Sequence, residues 1–304
     1  MSFIEDTFMS WTTHPSDADA SVNHTLAHAD GGIWETRWVQ RSKDYGIVYV
    51  SSHTGCAFSC RFCHLTATKQ TMMTPADQNI YLAQLRQSLG TYRQRREEGL
   101  PAIDKLHINF MARGEPLDNP TVLHKGSELF AEMEHTVHTV QPHLDTHFLL
   151  SSILPNTLTI PLADVLTHPQ AHLYYSLYSL NPQFRKRWVP KALPATVGLD
   201  LCQEYQKATG KRVVLHWAFI EGQNDSEQDI DEMLEAVAQR QLRAKFNLVR
   251  YNPHDQRHGV ETEEAKLQHL FAKIQRRLGD PESRIVPRVG FDVKASCGMF
   301  VVGE

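Results

Sequence analysis

Strand-like and helix-like segments alternate along most of this 304-residue chain. Runs rich in β-branched and aromatic residues are followed by amphipathic segments, two of which end at Gly210 and Gly279. We predict strands at residues 105–110, 146–151, 172–177, 212–219, 245–249 and 284–289, and helices near 121–135, 156–167, 194–209, 225–241 and 261–278. Because strands that alternate with helices form parallel sheets, the pattern predicts an α/β fold, a partial (β/α)6 barrel.

Three of the five cysteines lie in one short segment, at Cys56, Cys60 and Cys63. A predicted strand over residues 45–51 leads directly into it. Iron–sulfur clusters are usually held by four cysteine thiolates, so three thiolates leave one iron of a cubane without a protein ligand. The C-x3-C-x2-C spacing therefore indicates an iron–sulfur site that can bind a further molecule at the open iron.

Two other metal sites fit parts of the same segment. Cys60, Cys63 and His64 match the C-x-x-C-H signature of c-type haem attachment, which requires an exported chain and leaves Cys56 unused. A zinc site with His53 or His64 as the fourth ligand is also open. Structural zinc usually pairs two such half-sites, and no second one follows in the sequence. We therefore favour the cluster over both alternatives.

The composition narrows the class of protein. The formal net charge of −4 gives no global attraction to nucleic acid, although it leaves room for a local basic patch. An odd number of cysteines argues against a disulfide framework. We expect neither a secretory signal nor a membrane span, because no basic region precedes an apolar run and no stretch nears 18 apolar residues. These features predict a cytoplasmic protein in a reducing compartment, which suits an oxygen-labile cluster.

The N-terminal third shows weaker patterns. Residues 1–30 are polar and rich in histidine without a clear period, so we predict a loosely packed lead-in. Strands at 33–40 and 45–51 would form a hairpin. Thr74 and Pro75 have the N-cap and first-turn chemistry of a long helix that ends in a basic stretch.

No linker rich in Pro, Gly or Ser divides the chain. We therefore predict an N-terminal extension over residues 1–45, which begins the β-hairpin, and a barrel domain over residues 46–304 that includes the C-terminal loop. Basic runs at 93–96 and 184–188 are either solvated surface or contacts for a nucleic-acid backbone, and the tryptophan of the second run suits base stacking.

Polar residues follow the carboxyl ends of the predicted strands, where the chemistry of α/β barrels takes place. They include Gly114, Glu115, Ser151, Ser152, Ser176, Tyr178, Glu221, Asn224, Asp225, Tyr251 and Asn252. The cluster segment follows a strand in the same way. We therefore expect these residues to converge with the three cysteines.

The ordered set of motifs resembles the RlmN/Cfr-type radical S-adenosylmethionine (SAM) methyltransferases, which methylate an adenine ring carbon in RNA. The likeness runs from about residue 35 to residue 298. It rests on Trp34-Glu35-Thr36, Ser51-Ser52-x-x-Gly55-Cys56, the C-x3-C-x2-C segment, Gly114-Glu115-Pro116, Ser176-Leu177, Asn224-Asp225, Asn247-Leu248, Asn252-Pro253 and Ala295-Ser296-Cys297-Gly298. The resemblance implies a radical SAM barrel that binds a [4Fe-4S] cluster and SAM.

The resemblance also assigns roles to single residues. It implies that Cys56, Cys60 and Cys63 bind the cluster, and that Gly114, Glu115, Ser151, Ser176, Tyr178 and Asn252 form the cofactor-binding set around SAM. Cys297 would take a methyl group from a first SAM, and the deoxyadenosyl radical from a second SAM would remove a hydrogen from that methyl group. The methylene carbon would then bond to the adenine, with Glu35 as the proton acceptor.

One position departs from the family pattern. The second catalytic cysteine of the family, two residues before Ser51-Ser52, is Tyr49 here. That cysteine normally releases the product by forming a disulfide, which a phenol cannot do. Cys202, which we otherwise predict to be a core residue, is the only spare thiol; an external thiol or a different reaction are the alternatives.

Three functional hypotheses follow. The first is methylation of an adenine carbon in RNA through Cys297. The second is a radical SAM reaction with another outcome, because Tyr49 replaces the resolving cysteine. The third is a non-catalytic metal-binding module for nucleic acid. The predicted partners are a nucleic-acid substrate, most simply RNA, and an external one-electron reductant such as flavodoxin.

Overall fold

A computed structural model describes residues 9–302, which are built around one ten-stranded sheet. Its strands are β1 (Thr12–Pro15), β2 (Val22–Ala27), β3 (Ile33–Ser42), β4 (Tyr45–Tyr49), β5 (Lys105–Phe110), β6 (Asp145–Ser152), β7 (Ala171–Ser176), β8 (Val213–Trp217), β9 (Ala244–Val249) and β10 (Arg284–Val286). The α-helices are α1 (His64–Ala67), α2 (Gln78–Glu97), α3 (Pro120–Val140), α4 (Leu162–Val165), α5 (Pro182–Trp188), α6 (Ala195–Thr209), α7 (Glu227–Gln239) and α8 (Glu264–Leu278).

The strands lie in the sheet in their order along the chain. From β4 to β10 all pairs are parallel, whereas β1 to β4 pair antiparallel. The predicted α/β class, a partial barrel with a short N-terminal β extension, is confirmed. The extension is continuous with the barrel sheet because β4 pairs with both β3 and β5. The proposed boundary between residues 45 and 46 stays a prediction.

Side chains along the barrel strands alternate between two environments, as the pleat requires. In β5, Leu106, Ile108 and Phe110 are fully or almost fully buried in the main apolar core. The intervening Asn109 and the following Met111 instead line a cavity inside the barrel. The outer face of the sheet thus supplies the packing energy, and its inner face is left for polar groups.

The helix boundaries follow their capping chemistry. Gly210 and Gly279 end α6 and α8 in the left-handed conformation, as predicted. The start of α2 was predicted wrongly: Asp77, not Thr74, is its N-cap and accepts a hydrogen bond from Ile80 N (2.9 Å). Thr74 Oγ1 instead donates to Asp30 (2.6 Å), a distant partner that local spacing does not reveal.

Three other expectations need correction. The part of the lead-in that the structure describes is not loose, because it contains β1 and β2. For residues 1–8 the prediction of a loose lead-in lies outside the described residues. The helix expected over 156–167 is reduced to α4, and α5 was not predicted at all. Short segments of this kind gain their stability from the surfaces on which they pack, so their own sequences carry a weak signal.

No helix within residues 9–302 is long and apolar enough to cross a membrane.

Five buried or half-buried histidines make the fold sensitive to acid. Burial lowers the pKa of His24, His53 and His172 to about 4, that of His216 to about 3 and that of His107 to about 2. Since the unfolded chain binds these protons near pH 6.5, stability is full above that pH and falls as the pH drops toward 4. We expect each histidine to lower the free energy of unfolding by about 2 kcal/mol at pH 5.

Urea denaturation of the metal-free protein between pH 7.5 and pH 5 measures this dependence. His24→Gln should reduce the slope of unfolding free energy against pH, whereas His135→Gln, at an exposed position on α3, should leave it unchanged. Equal slopes for wild type and His24→Gln would contradict the assignment.

Candidate active site

The cluster loop, residues 51–64, is fixed by contacts with distant parts of the chain. Cys56 N donates to Gln70 O (2.9 Å) and Arg61 N donates to Trp188 O (2.9 Å). Trp188 belongs to an apolar cluster against which two of the loop cysteines pack. The thiols therefore lie on a preformed loop at the carboxyl end of β4.

The three thiols are electrostatically coupled. Burial raises the pKa of Cys56 to about 12 and that of Cys63 to about 11, and it raises the pKa of Cys60 well above its usual value. Neighbouring loop thiols add to the shift for Cys56 and Cys60. A metal centre bound here must displace protons from the sulfurs as it forms, which makes its assembly dependent on pH.

The spread of the sulfur atoms argues against zinc. With Zn–S bonds of about 2.3 Å, two thiolates on one tetrahedral ion lie about 3.8 Å apart. Within residues 9–302, the one group of three or more His, Cys, Asp or Glu ligand atoms that all lie within 4.8 Å of one another is His254, Asp255 and His258. The loop cysteines form no such group, with or without His53 or His64.

A cavity, which we call the cluster cavity, opens beside the loop. Ten of the eleven predicted site residues line it: Cys56, Cys60, Cys63, Gly114, Glu115, Ser151, Ser176, Tyr178, Asn252 and Cys297. These residues come from the carboxyl ends of five parallel strands and from the C-terminal loop. The predicted convergence is confirmed for them, and Glu35 is the exception.

The turn after β5 brings the backbone close to the cluster loop. Gly114 has a φ of +90°, and a Cβ atom there would lie 2.5 Å from His53 Nδ1. Both features require glycine. Glu115 follows it, with its carboxylate accepting hydrogen bonds from Leu117 N (3.1 Å) and Ile153 N (3.2 Å). Burial raises the pKa of Glu115 to about 7, so an approaching cationic amino group would favour its ionised form.

A chain of polar groups connects the strand ends across the barrel. Ser151 Oγ lies 3.2 Å from Ser176 Oγ and 3.3 Å from His216 Nδ1. His216 Nε2 in turn lies 3.4 Å from Asn247 Nδ2. Sequence reasoning missed His216, although its place near the end of an alternating strand was the available signal. It lines the cluster cavity and a second cavity deeper in the barrel.

Asn252 uses its side chain to hold the C-terminal loop. Its Nδ2 donates to Cys297 O (2.9 Å), and its Oδ1 accepts from Arg288 Nε (2.8 Å). Its backbone O lies 3.2 Å from Nε2 of His64, the histidine that c-type haem would need as a ligand. Asn252 thus lines the cluster cavity while it positions the loop that carries Cys297.

Two further motif residues shape the cavity wall. Tyr178 adopts a φ of +57° and packs its ring against Phe62, with 4.4 Å between centroids. Asn224 is fully buried and donates to Tyr178 O (2.7 Å) and Ala218 O (3.0 Å). The Asn224-Asp225 motif therefore supports the strained turn that places Tyr178 in the cavity.

Cys297 lies between the two cavities. Its side chain is exposed to them, although protein atoms surround it closely enough that burial raises its pKa. Arg37 and Arg41 partly oppose that shift. Cys297 is one of the residues that line both the cluster cavity and the second cavity, which we call the lumen cavity. A group bound to its sulfur could therefore face either space.

Glu35 lies beneath the C-terminal loop and does not line the cluster cavity. Its carboxylate is fully buried and accepts from Arg37 (2.7 Å), Arg113 (2.9 Å) and Asn23 (2.8 Å). Burial by itself raises its pKa, but the two arginines outweigh burial and lower it. The same arginines donate to main-chain carbonyls of the C-terminal loop, Arg37 to Met299 O (2.7 Å) and Arg113 to Val301 O.

Tyr49 and Cys202 have very different positions. Tyr49 lines the lumen cavity together with Cys297, so it occupies the place that the resemblance gives to the second cysteine. Cys202 is fully buried in the main apolar core beneath α6. Its prediction as a core residue is confirmed, and the idea that it replaces the missing thiol is wrong because it lines neither cavity.

The basic run at 184–188 is not a surface for stacking bases. Phe184, Arg185 and Trp188 are buried, and Arg185 donates to Leu177 O (2.6 Å) and to the carbonyl of Leu193 (2.7 Å). This run supports the apolar floor of the cluster loop instead. Its charge pattern alone did not distinguish the two roles.

Comparison with known proteins gives the class first. The structure is similar to that of a radical SAM methyltransferase from Sphaerobacter thermophilus, with a TM-score of 0.73 over 95% of this chain and 80% of that one at 21% identity. It is also similar to Streptococcus suis SuiB bound to SAM, with a TM-score of 0.53 and 12% identity over 79% of this chain and 48% of SuiB. Together with the three-cysteine loop, the fold defines a radical SAM barrel. No protein-family model matches the sequence.

Sequence relatives then identify the family. The chain is 30% identical to the probable dual-specificity RNA methyltransferase RlmN of Prochlorococcus marinus, over 92% of this chain and 74% of that protein. It is 27% identical to RlmN of Gluconobacter oxydans, over 94% of this chain and 68% of that protein. The chain belongs to the RlmN family of radical SAM methyltransferases, and it is a transferase. This class of enzyme excludes the non-catalytic module.

The residues present fit the cofactors of that class, a [4Fe-4S] cluster and SAM. Three thiols on one preformed, half-buried loop suit three of the four irons. Gly114 lets the backbone approach closely, and Glu115 provides an anionic partner for an amino group. Ser151 and Ser176 offer hydroxyl groups across the same cavity.

Proposed function

We propose that this enzyme methylates an adenine ring carbon in RNA through an S-methyl group on Cys297. The observation that carries the proposal is the position of Cys297, whose side chain opens both to the cluster cavity and to the lumen cavity. The names of the relatives, which are RNA methyltransferases, support RNA as the substrate class. An external one-electron reductant such as flavodoxin would be a further partner, and a cytoplasmic location stays a prediction.

The residues act in a defined order in this proposal. The cluster and SAM supply a methyl donor and, on one-electron reduction, a carbon-centred radical that abstracts hydrogen. Glu115 and Gly114 position the amino group of SAM, while Ser151 and Ser176 bind its polar groups. Cys297 accepts the methyl group on its sulfur, and one hydrogen atom of that methyl group goes to the radical. The methylene carbon then bonds to the adenine ring carbon, and the adduct gives up one electron and the proton of that ring carbon. Asn252 holds the Cys297 loop in position throughout.

A second outcome is favoured by one residue. Tyr49 provides no thiol to break the bond between Cys297 and the substrate, so the reaction either needs an external thiol or ends differently. A carbon-centred modification without methyl transfer is therefore the second candidate. The methylation state of Cys297 separates the two, since only the first requires the S-methyl group.

Anaerobic reconstitution with iron and sulfide, followed by SAM labelled in its methyl group and a reductant, tests the proposal. Pools of ribosomal RNA, transfer RNA and DNA should be compared, and both protein and nucleic acid analysed by mass spectrometry. We expect label on Cys297 and on an adenine of RNA. Deoxyadenosine formation with an unmethylated Cys297 and no methylated base would contradict it and support the second candidate.

We propose a positioning role for Glu35 in place of proton acceptance. Its paired, ionised carboxylate holds Arg37 and Arg113, which hold the Cys297 loop. Glu35→Gln leaves two buried guanidinium groups without a counter-ion, so we expect a loss of about 3 kcal/mol in unfolding free energy. Methylation of Cys297 should fall with it, because the loop is no longer held.

Urea denaturation and mass spectrometry of Cys297 measure the two effects. Glu132→Gln, at an exposed position on α3, is a matched control for removal of one carboxylate. If Glu35→Gln kept full stability and normal Cys297 methylation but blocked the final product, Glu35 would be the proton acceptor instead.

A further inference from the structure

Three metal-binding side chains meet in the loop after β9, outside both cavities. His254 and Asp255 precede a short 3₁₀ turn over Gln256–His258, which brings a second imidazole back to the same carboxylate. His254, Asp255 and His258 each offer a ligand atom within 4.8 Å of the other two. In the described part of the chain, none of the three lines the cluster cavity or the lumen cavity. The reaction at Cys297 therefore does not account for this group.

The carboxylate of Asp255 lies between the two imidazoles. Its Oδ1 atom is 2.8 Å from His258 Nδ1, and its Oδ2 atom is 3.6 Å from His254 Nδ1. Ligand atoms around a tetrahedral zinc ion, with bonds of about 2.0–2.1 Å, are about 3.4 Å apart. The two distances bracket this value, and all three side chains are partly exposed. Small side-chain rotations are therefore enough to close the group around one ion.

One cation already contacts this carboxylate, since Arg257 Nη2 lies 2.7 Å from Asp255 Oδ2. The side chain of Arg257 is 86% exposed, and an ion pair so open to water contributes little to stability. A divalent ion offers the carboxylate twice the charge and also binds the two imidazoles. Metal binding therefore requires only that the guanidinium group moves out into solvent.

The donor atoms select the class of metal. Two imidazole nitrogens and one carboxylate oxygen suit zinc and the neighbouring transition metals, whereas Mg²⁺ and Ca²⁺ prefer ligand sets made of oxygen. Three protein ligands also leave one position of a tetrahedral ion for a water molecule. The chemistry of the group thus fits a divalent transition metal, with zinc as the simplest case.

The loop that carries these ligands is attached to the cluster loop. Arg61 Nη2 donates to Arg257 O (2.9 Å). The ring of His254 meets the ring of His64 edge to face, with 5.1 Å between centroids. Arg61 and His64 lie on either side of Cys63 in the sequence. The loop after β9 therefore contacts the cluster loop on both sides of this thiol.

We propose that His254, Asp255 and His258 bind one zinc ion, which fixes the loop after β9 against the cluster loop. The ion is structural, because its ligands do not line the cavities in which the reaction takes place. The same loop contains Asn252, whose side chain donates to Cys297 O (2.9 Å). Zinc at this position stabilises a loop that contacts both the cluster loop and the C-terminal loop.

Anaerobic equilibrium dialysis of the tag-free, reconstituted protein against Zn²⁺, followed by elemental analysis, tests this site. We expect about one zinc ion per chain with an unchanged iron content, and no uptake of Mg²⁺ at the same concentration. His254→Gln and His258→Gln should each weaken zinc binding at least about tenfold, because even the loss of a group that supports a metal ligand has an effect of this size. His135→Gln, at an exposed position on α3, is the matched control and should bind zinc like the wild type.

Limited digestion with trypsin measures whether the ion fixes the loop. Trypsin cleaves after arginine, and the exposed Arg257 lies between two of the ligands. At a free zinc concentration about ten times the dissociation constant, only about a tenth of the protein is unbound. Cleavage after Arg257 should therefore slow about tenfold in the wild type. In His254→Gln at the same zinc concentration, the cleavage rate should equal its rate without zinc.

Several results would overturn this inference. They are equal zinc uptake by the wild type and both histidine variants, equal uptake of Zn²⁺ and Mg²⁺, zinc uptake that displaces iron from the protein, and zinc binding that leaves cleavage after Arg257 unchanged. Neither measurement depends on methylation of Cys297 or on RNA. The zinc site is therefore tested separately from the proposed function.

Discussion

Replacement of Cys297 by serine is expected to abolish methyl transfer to RNA, with a decrease of at least about 1,000-fold in product formation. Serine keeps the shape of the side chain, and the loop contacts from Asn252 and Arg37 involve the main chain. A hydroxyl group is a far weaker nucleophile toward a sulfonium methyl group than a thiolate. The substitution should therefore prevent the methyl transfer itself, while the fold and the iron content stay normal.

Labelled SAM, iron analysis and thermal unfolding of the Cys297→Ser protein measure these quantities together. Cys202→Ala is the matched cysteine control, because Cys202 lies in the core and lines neither cavity. It should keep methyl transfer and lose some stability. Full methyl transfer by the Cys297→Ser protein would contradict the proposed role of Cys297. A loss of iron together with activity would contradict it as well.

Substitution of Tyr49 by cysteine is expected to turn a trapped covalent complex into released product. In the wild type, the bond between Cys297 and the adenine methylene carbon should persist, because no thiol lines the lumen cavity besides Cys297. The introduced thiolate would attack Cys297 Sγ, forming a disulfide, while the electrons of the broken carbon–sulfur bond go to carbon, which takes a proton. We expect the crosslinked fraction to fall about tenfold.

Denaturing gels and mass spectrometry of the protein–RNA complex follow the crosslink. Tyr49→Ser is the matched control, because it removes the same ring without adding a thiol. Equal crosslinking in Tyr49→Cys and Tyr49→Ser would show that Tyr49 does not stand in for a resolving group. Free methylated RNA from the wild type in the absence of added thiol would contradict the trapped complex itself.

Much of the site was predictable because its residues are marked by local patterns. The spacing of Cys56, Cys60 and Cys63 defines a three-thiolate loop without reference to the rest of the chain. Gly114 and Glu115 lie in a turn after a clear strand, and parallel strands bring their carboxyl ends to one edge. The order of such segments was enough to predict that ten residues line one cavity.

The errors occurred where a side chain finds its partner far away in sequence. Glu35 carries the same motif whether it faces a cavity or two arginines, and Arg113 is 78 residues away. Trp188 in a basic run suited an exposed surface, yet it packs beneath the cluster loop. Spacing gives no information on such pairs because they depend on how the elements pack.

Local patterns were sufficient to predict the α/β class, the succession of strands and the three-thiolate loop, because each depends on periodicity or spacing within a few residues. The packing of the whole chain was needed to show that Cys297 faces two cavities and that Cys202 lines neither of them. Those properties arise from strands and loops that meet across the barrel. The burial and the charge balance of a residue depend on all of its neighbours in space. Nearby residues in the sequence do not reveal which neighbours those are.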